Sequence, residues 1–426
     1  MNIEELYTLY LQHPSVQTDT RKLKKGDLFF ALKGPSFNGN EFTQKAINAG
    51  AAYAVIDDGH YAIEGKTILV NDVLVALQQL AEHHRRQFQI PFIAITGSNG
   101  KTTTKELIHA ILSSTYITYT TEGNLNNHIG VPLTILKIRH DAEMAVIEMG
   151  ANHQKEIASY CEYVLPTHGL ITNVGKAHLE GFGSEEGVRK GKGELYDHLR
   201  SHKGTAFVMA DYEYLQQMSK GITTIYTYGT QEADVAGTIS KTDPFLQVNF
   251  KEGYKGEIRT NLVGSYNLPN VLAAVAVGKY FKVTDDKIKD AIENYFPSNS
   301  RSQLIEKGTH KIILDAYNAN PSSMKAAIEN FAAIKGENKI LALGAMAELG
   351  ENSLQEHADI VEEIKKHPWK QVILVGGDFI KLNHPFQQFK SPQEAGEWMK
   401  GKVENAYILI KGSRSMQMEK VLEYLS

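Results

Sequence analysis

An apolar run, Pro91-Phe-Ile-Ala-Ile-Thr96, turns directly into Gly97-Ser-Asn-Gly-Lys-Thr-Thr103 and then into a helical pattern over Thr104–Leu112. A strand handed straight to a helix through a glycine-rich turn commits this stretch to a sheet covered by helices. The same turn carries chemistry. Gly97 and Gly100 let the backbone fold tightly and aim N–H groups at phosphate oxygens, with Ser98, Asn99 and Thr103 completing the loop. The helix N-terminus adds roughly half a positive charge. Lys101 adds a full one, and the Thr102 hydroxyl suits Mg2+. The spacing is GxxGKT and departs from GxxxxGK[ST], because residue 95 is Ile. A nucleotide triphosphate is the expected ligand. A plain strand-to-helix turn is the alternative, and the loop alone leaves kinase, motor, GTPase and ligase open.

The α/β pattern continues on both sides, and 426 residues suffice for several domains. Three blocks are expected, at 1–88, 89–299 and 300–426. In the first, strands are expected at Asp27–Leu32, Ala52–Ile56 and Thr67–Val70, with Asp72 capping a helix over Val73–Phe88. In the second, Ala142–Glu148 and Gly169–Val174 follow the opening strand, which argues for a mostly parallel sheet. In the third, Lys311–Asp315, Lys339–Leu343, Gln371–Val375 and Ala406–Ile410 alternate with helical segments, as in a doubly wound, Rossmann-like sheet. Lys and Arg total 45 against 49 Asp and Glu, a net charge of −4, so there is no electrostatic footprint for nucleic acid. Cys161 is the single cysteine, which excludes an intrachain disulfide and a cysteine-built zinc site. No basic-then-apolar leader opens the chain and no apolar run approaches bilayer length, so a cytoplasmic protein is expected. Nothing in the sequence demands more than a monomer.

The loop's departure is informative, because TGxNGKTT resembles the Mur ligase family, which joins amino acids or peptides to a carboxylate with ATP. Further stretches resemble that family in order along the chain: Gly123-Asn-Leu-Asn-Asn-His128, Glu148-Met-Gly-Ala151, Asn173-Val-Gly-Lys-Ala-His178 and Gly264-Ser-Tyr-Asn-Leu-Pro-Asn270. Thr18-Asp-Thr-Arg21, Asp315-Ala-Tyr-Asn-Ala-Asn-Pro321 and Leu409-Ile-Lys-Gly-Ser-Arg-Ser-Met416 resemble one branch. That branch adds D-alanyl-D-alanine to UDP-N-acetylmuramoyl-tripeptide in peptidoglycan precursor synthesis. Two positions depart from the family's habit: Asn40, where His is common, and Ser300 before Arg301, where Gly is common.

The resemblance implies a small α/β N-terminal domain for the UDP precursor, a central P-loop domain for ATP and Mg2+, and a C-terminal domain for the incoming dipeptide. It assigns catalysis to Lys101, Glu148, His178 and Lys192. Mg2+ would fall to Thr102, Glu148 and His178, and to Lys192 if carbamylated. ATP contacts would add Asn267 and Asn270 at the adenine, and Arg301 and Asp315 at phosphate and ribose. Thr20 and Arg21 are expected at the UDP end, and Asn127 and His128 on the muramoyl side. Asn318 and Asn320 are expected to shape the dipeptide pocket or a turn before Pro321. Lys411 and Ser413 would meet the activated carboxylate or the dipeptide. The Ala345–Gly350 loop, with His357 nearby, also resembles a family loop and is given no catalytic role. Cys161 reads as a buried small residue.

The chemistry implied is an acyl phosphate made from a carboxylate and attacked by an amine, which calls for a dense positive field. It also calls for the third domain to close on the second about a hinge near Ser300. Two alternatives stand beside it: a relative in the family adding one amino acid to a shorter precursor, and a nucleotide-binding scaffold with a degenerate site.

Overall fold

The computed structural model describes residues 2–298 and 300–425; Asn299, where the second expected block ends, lies outside the described residues, as do Met1 and Ser426. Three sheets carry the architecture. The first block folds around four short parallel strands in the order Val16–Gln17, Leu28–Phe30, Tyr53–Ile56, Thr67–Leu69. The Asp72 side chain accepts from the Val75 N–H and starts the helix Val73–Arg85, as its sequence position suggested.

This helix is where the first block meets the second. Its apolar face (Val73, Leu77, Leu80, Ala81) belongs to one continuous core with Val131, Ile135, Ile157 and Tyr160 of the second block. Arg85 fastens the joint, donating from Nε to Val164 O at 2.8 Å and from Nη2 to Leu165 O at 2.9 Å while its guanidinium stacks 3.7 Å from the Phe92 ring centre. The opposite face of the first sheet keeps a separate small core of Phe29, Ala31, Ala46, Ala51, Ala54 and Ile56.

Among the described residues the second block forms a nine-stranded sheet. The strand Phe92–Thr96 pairs in parallel with Met144–Glu148 on one side and His168–Ile171 on the other. The chain therefore crosses to opposite sides of this strand in its successive returns, and a crevice opens at the carboxyl ends, the place where open α/β sheets take ligands. Every side chain of Phe92–Ile95 is buried, which is why the segment reads as an unbroken apolar run. Beyond the parallel part, Val235–Lys241, Phe245–Glu252 and Gly256–Val263 form an antiparallel meander. Its alternating burial was not legible as parallel or antiparallel from the sequence.

The third block is a six-stranded sheet, Gln303–Lys307, His310–Asp315, Tyr407–Lys411, Lys339–Gly344, Gln371–Val375, Gln387–Phe389, parallel except for its first pair. All four strands expected there form. Helices Pro321–Ala333 and Ser353–Lys365 cover one face, and Pro392–Met399 covers the other.

Candidate active site

The glycine-rich loop leaves the Phe92–Thr96 strand with Gly97 at φ 141° and Gly100 at φ 81°. A Cβ on Gly97 would lie 2.0 Å from Thr172 Oγ1, and one on Gly100 would lie 2.4 Å from Asn270 Oδ1. Both positions therefore exclude side chains, and at Gly100 the left-handed backbone does so independently. The helix begins at Lys101 and runs to Ser113, three residues earlier than its sequence pattern suggested. Three successive threonines hid its first turn, because β-branched residues lower helix propensity.

Neighbouring strand ends brace the loop. Asn99 N donates to Asn173 Oδ1 at 3.0 Å, and Thr172 Oγ1 donates to Asn99 O at 2.6 Å. Ser98 N donates to Asn173 O at 2.9 Å. Lys101 Nζ folds back on the loop carbonyl of Gly97 at 2.7 Å. Burial lowers its pKa, while the nearby Glu148 carboxylate acts in the opposite direction.

Glu148 stands at the end of its strand and is 1% exposed. Asn126 Nδ2 donates to Oε1 at 2.7 Å, while Oε2 is buried with no hydrogen-bond partner. A buried carboxylate oxygen left without a donor is costly unless a cation meets it. Thr102 lines the same cleft. An oxygen of a carboxylate, a hydroxyl and room for phosphate and water make the ligand chemistry that Mg2+ favours. The residues present therefore fit such an ion. Among the described residues no group of three or more His, Cys, Asp or Glu side chains gathers as a metal cage.

Lys192 lies behind this wall, not on it. It is 1% exposed, Nζ donates to Ala151 O at 2.8 Å, and the ammonium sits 5.0 Å from the Phe182 ring centre. Burial first, and repulsion from Lys101 second, bring its pKa well below 10.5.

The cleft itself, ≈ 1060 Å³, opens between the second and third blocks. Ser98 to Thr103 form its floor, with Glu148 and His178 beside them. Asn267 and Asn270 also line it, but much of their polar capacity is spent internally. Asn270 Nδ2 donates to Asn267 Oδ1 at 2.9 Å, Asn267 Nδ2 to Val263 O at 2.9 Å, and Thr104 Oγ1 to Asn270 Oδ1 at 3.1 Å. Asn270 thus stitches its helix to the phosphate-loop helix.

From the third block come Arg301, Asp315, Asn318, Asn320 and Lys411. The Arg301 guanidinium stacks 3.7 Å from the Tyr317 ring centre, and its Nε is buried with no partner. Asp315 takes the Ser302 N–H on Oδ1 at 3.0 Å and Lys411 Nζ on Oδ2 at 2.5 Å. Asn320 caps the helix Pro321–Ala333 and reaches across the cleft, donating from Nδ2 to Asn99 Oδ1 at 2.8 Å. Asn318 Oδ1 accepts from the Ala319 N–H at 2.9 Å. On the other wall Asn127 Oδ1 accepts from Gly130 N at 2.8 Å, and His128 is exposed beside it.

Four expected positions are absent from the cleft lining besides Lys192. Gly97 shapes the loop from below. Ser413 is 1% exposed, and its Oγ donates to Ala345 O at 2.7 Å. Thr20 and Arg21 lie in the first block, where exposed Arg21 is paired with Asp19 at 2.8 Å. Asn126, Asn173, Tyr317 and Glu348 were not singled out from the sequence. The first two lie in loops, inside the Gly123–His128 and Asn173–His178 stretches that resemble the family, and that resemblance was the available signal. Glu348 Oε2 lies 2.5 Å from His178 Nδ1, close but short of hydrogen-bond alignment. His178 holds the Glu348 carboxyl below its ordinary range.

Three family models match successive stretches of the chain. Residues 14–85 match the model for the Mur ligase family catalytic domain, residues 95–278 the Mur ligase middle domain, and residues 300–414 the Mur ligase glutamate ligase domain. The chain is 35% identical to the UDP-N-acetylmuramoyl-tripeptide--D-alanyl-D-alanine ligase of Bacillus subtilis, over 96% of this chain and 92% of that one. It is 36% identical to the enzyme of that name in Escherichia coli, over 96% and 93% of the two chains. A crystal structure of MurF from Acinetobacter baumannii superposes with a TM-score of 0.88 at 32% identity, over 96% of this chain and 92% of that one. The ADP complex of MurF ligase from Thermotoga maritima superposes with a TM-score of 0.86 at 26% identity, covering 97% of each chain. With relatives above 30% identity along nearly its whole length and three family models matched along it, this chain belongs to the Mur ligase family.

Proposed function

We propose that this protein is an ATP-dependent amide ligase that joins D-alanyl-D-alanine to UDP-N-acetylmuramoyl-tripeptide. The observation that carries this reading is the buried, partnerless Oε2 of Glu148, set beside a phosphate loop in a cleft walled by two domains. The named relatives in Bacillus subtilis and Escherichia coli supply the substrate pair.

In this reading residues 1–88 hold the UDP precursor, 89–299 the nucleotide, and 300–426 the incoming dipeptide. A carboxylate oxygen of the tripeptide attacks the γ-phosphorus of ATP, and ADP leaves. The amine of D-alanyl-D-alanine then attacks the acyl carbon, phosphate leaves, and the amine gives up a proton. Loop N–H groups and Lys101 stabilise charge on the phosphates, and Thr102, Glu148 and His178 would hold Mg2+, which would supply further neutralisation of charge on the transferring group. Arg301, seated on Tyr317, adds positive charge from the third domain. Burial lowers the pKa of Lys192 and so favours the neutral amine, the form that carbamylation requires, and a carbamate there would add negative charge behind Glu148. One chain carries the whole cleft, so a monomer suffices. Among the described residues no helix is long and apolar enough to cross a membrane, and Cys161 is buried and free. We place the reaction in the cytoplasm.

Phosphate release from ATP with Mg2+ tests the reading, run with UDP-muramoyl tripeptide in the presence and absence of D-alanyl-D-alanine. Release that needs both, with a pentapeptide product by mass, is the expected result. Release only with a shorter precursor and a single amino acid moves the chain elsewhere in the family. Nucleotide binding without release for any pair leaves a scaffold.

A further inference from the structure

His178 and Glu348 face each other across the domain boundary, and both have left-handed backbones, at φ 52° and 61°. Neither is glycine, and such conformations cost about 1 kcal/mol or more each for ordinary residues. Each therefore needs support from its surroundings. On the second-domain side, His178 opens the short helix Leu179–Phe182, and Glu180 N donates to Glu348 O at 3.3 Å. On the third-domain side, the loop carrying Glu348 is anchored at its root. Met346 N donates to His357 Nε2 at 3.0 Å, and His357 Nδ1 lies 2.6 Å from Ser353 O. That pattern makes His357 a neutral ring with its hydrogen on Nδ1. Ser413 Oγ and the Val375 strand end hold Ala345 on either side. Nearby, Lys176 Nζ pairs with Glu356 Oε1 at 2.7 Å and Lys176 N donates to Ser322 Oγ at 3.2 Å, so the two domains are clamped around the same spot.

We propose that Glu348 is a positioning residue for His178: its carboxylate, delivered by the docked third domain, keeps the imidazole hydrogen on Nδ1 and leaves the Nε2 lone pair for a ligand in the cleft. His178 Nδ1 is buried, has no other hydrogen-bond partner and lies 2.5 Å from Glu348 Oε2, and His178 lines the cleft. Outer carboxylates fix tautomer and ring orientation in this way at many histidine ligands. Orientation of His178 thus becomes conditional on domain docking, which ties the competence of the nucleotide side to the presence of the amine-delivering domain. The activity arm of the test rests on the ligase reading; the spectroscopic arm does not.

The full chain, with ring-nitrogen-labelled histidine, is compared with Glu348→Ala and Glu348→Gln, and His178→Gln assigns the resonance. Wild type is expected to show His178 with hydrogen on Nδ1. Glu348→Ala is expected to shift it toward the Nε2–H tautomer and to lower kcat about ten- to hundredfold, with ADP affinity and thermal midpoint unchanged. Glu348→Gln, whose amide oxygen accepts the same hydrogen, is expected to restore the tautomer and most of kcat. A Glu348→Ala protein with the wild-type tautomer overturns the proposal, whatever its rate. So does a fall in kcat that tracks lost thermal stability in both variants. Should wild type release no phosphate with any substrate pair, the ligase reading fails and the tautomer comparison still decides the role of Glu348.

Discussion

Glu148 carries an unusual electrostatic burden for one side chain. Its carboxylate is buried, Asn126 satisfies one oxygen, and the other has no donor. Replacing it with Gln keeps an acceptor for Asn126 and removes the buried charge. Glu148→Gln is therefore expected to leave thermal stability equal or higher without nucleotide, while phosphate release falls about a hundredfold, a loss typical of removing one electrostatic contact at a transition state. Calorimetric melting beside turnover checks this, and a variant that loses both stability and activity would assign Glu148 a packing role. Gly100→Ala should behave in the opposite way. The new Cβ meets Asn270 Oδ1 at 2.4 Å on a backbone at φ 81°, so both ADP affinity and the melting midpoint are expected to drop. Titration calorimetry with ADP would show wild-type affinity if the loop can yield.

At the scale of elements, the helix Val73–Arg85 binds the first block to the second, and His84 sits in that joint at 2% exposure. Tyr7 OH lies 3.1 Å from Nδ1 and Ile138 O lies 2.8 Å from Nε2, an arrangement that suits the neutral ring. Burial brings its pKa down from 6.5 to about 4, with His140, Arg139 and His83 adding repulsion. A lowered folded-state value means the unfolded chain binds the proton first. Stability is therefore full above pH 6.5 and declines as pH falls toward about 4. The loss is on the order of 3 kcal/mol. Urea midpoints measured across that window should fall in wild type and flatten in His84→Leu, even though the variant starts lower for want of partners for Tyr7 and Ile138. Equal slopes in the two proteins would place the acid sensitivity elsewhere. Such joints were illegible in the sequence. Helical spacing marked the apolar face of 73–88, but nothing in it said that the face belongs to a neighbouring domain's core.

For the whole molecule, the bridges from Asn320 to Asn99 and from Lys176 to Glu356 hold the third domain against the second. Ser300 and Ser302, at φ 56° and 46°, flank Arg301 where the chain passes between them. Breaking the bridges with Asn320→Ala and Lys176→Ala is expected to enlarge the radius of gyration in small-angle scattering, and nucleotide with both substrates to shrink it again. Identical profiles under all conditions would remove the hinge. The sequence by itself determined the α/β class, the glycine-rich loop and the residues at strand ends, because apolar runs, glycine turns and short motifs are local and their physics is local. Lys411 and Ser413 show where that stops. They are two residues apart in one motif, yet the first faces the cleft paired with Asp315 and the second turns inward to anchor Ala345. Tertiary structure alone decided which motif residues face the cleft, that Asn270 serves the loop helix, and that Glu348 meets His178. Those outcomes depend on hydrogen-bond partners many residues distant, and a partner exists only once the domains have packed.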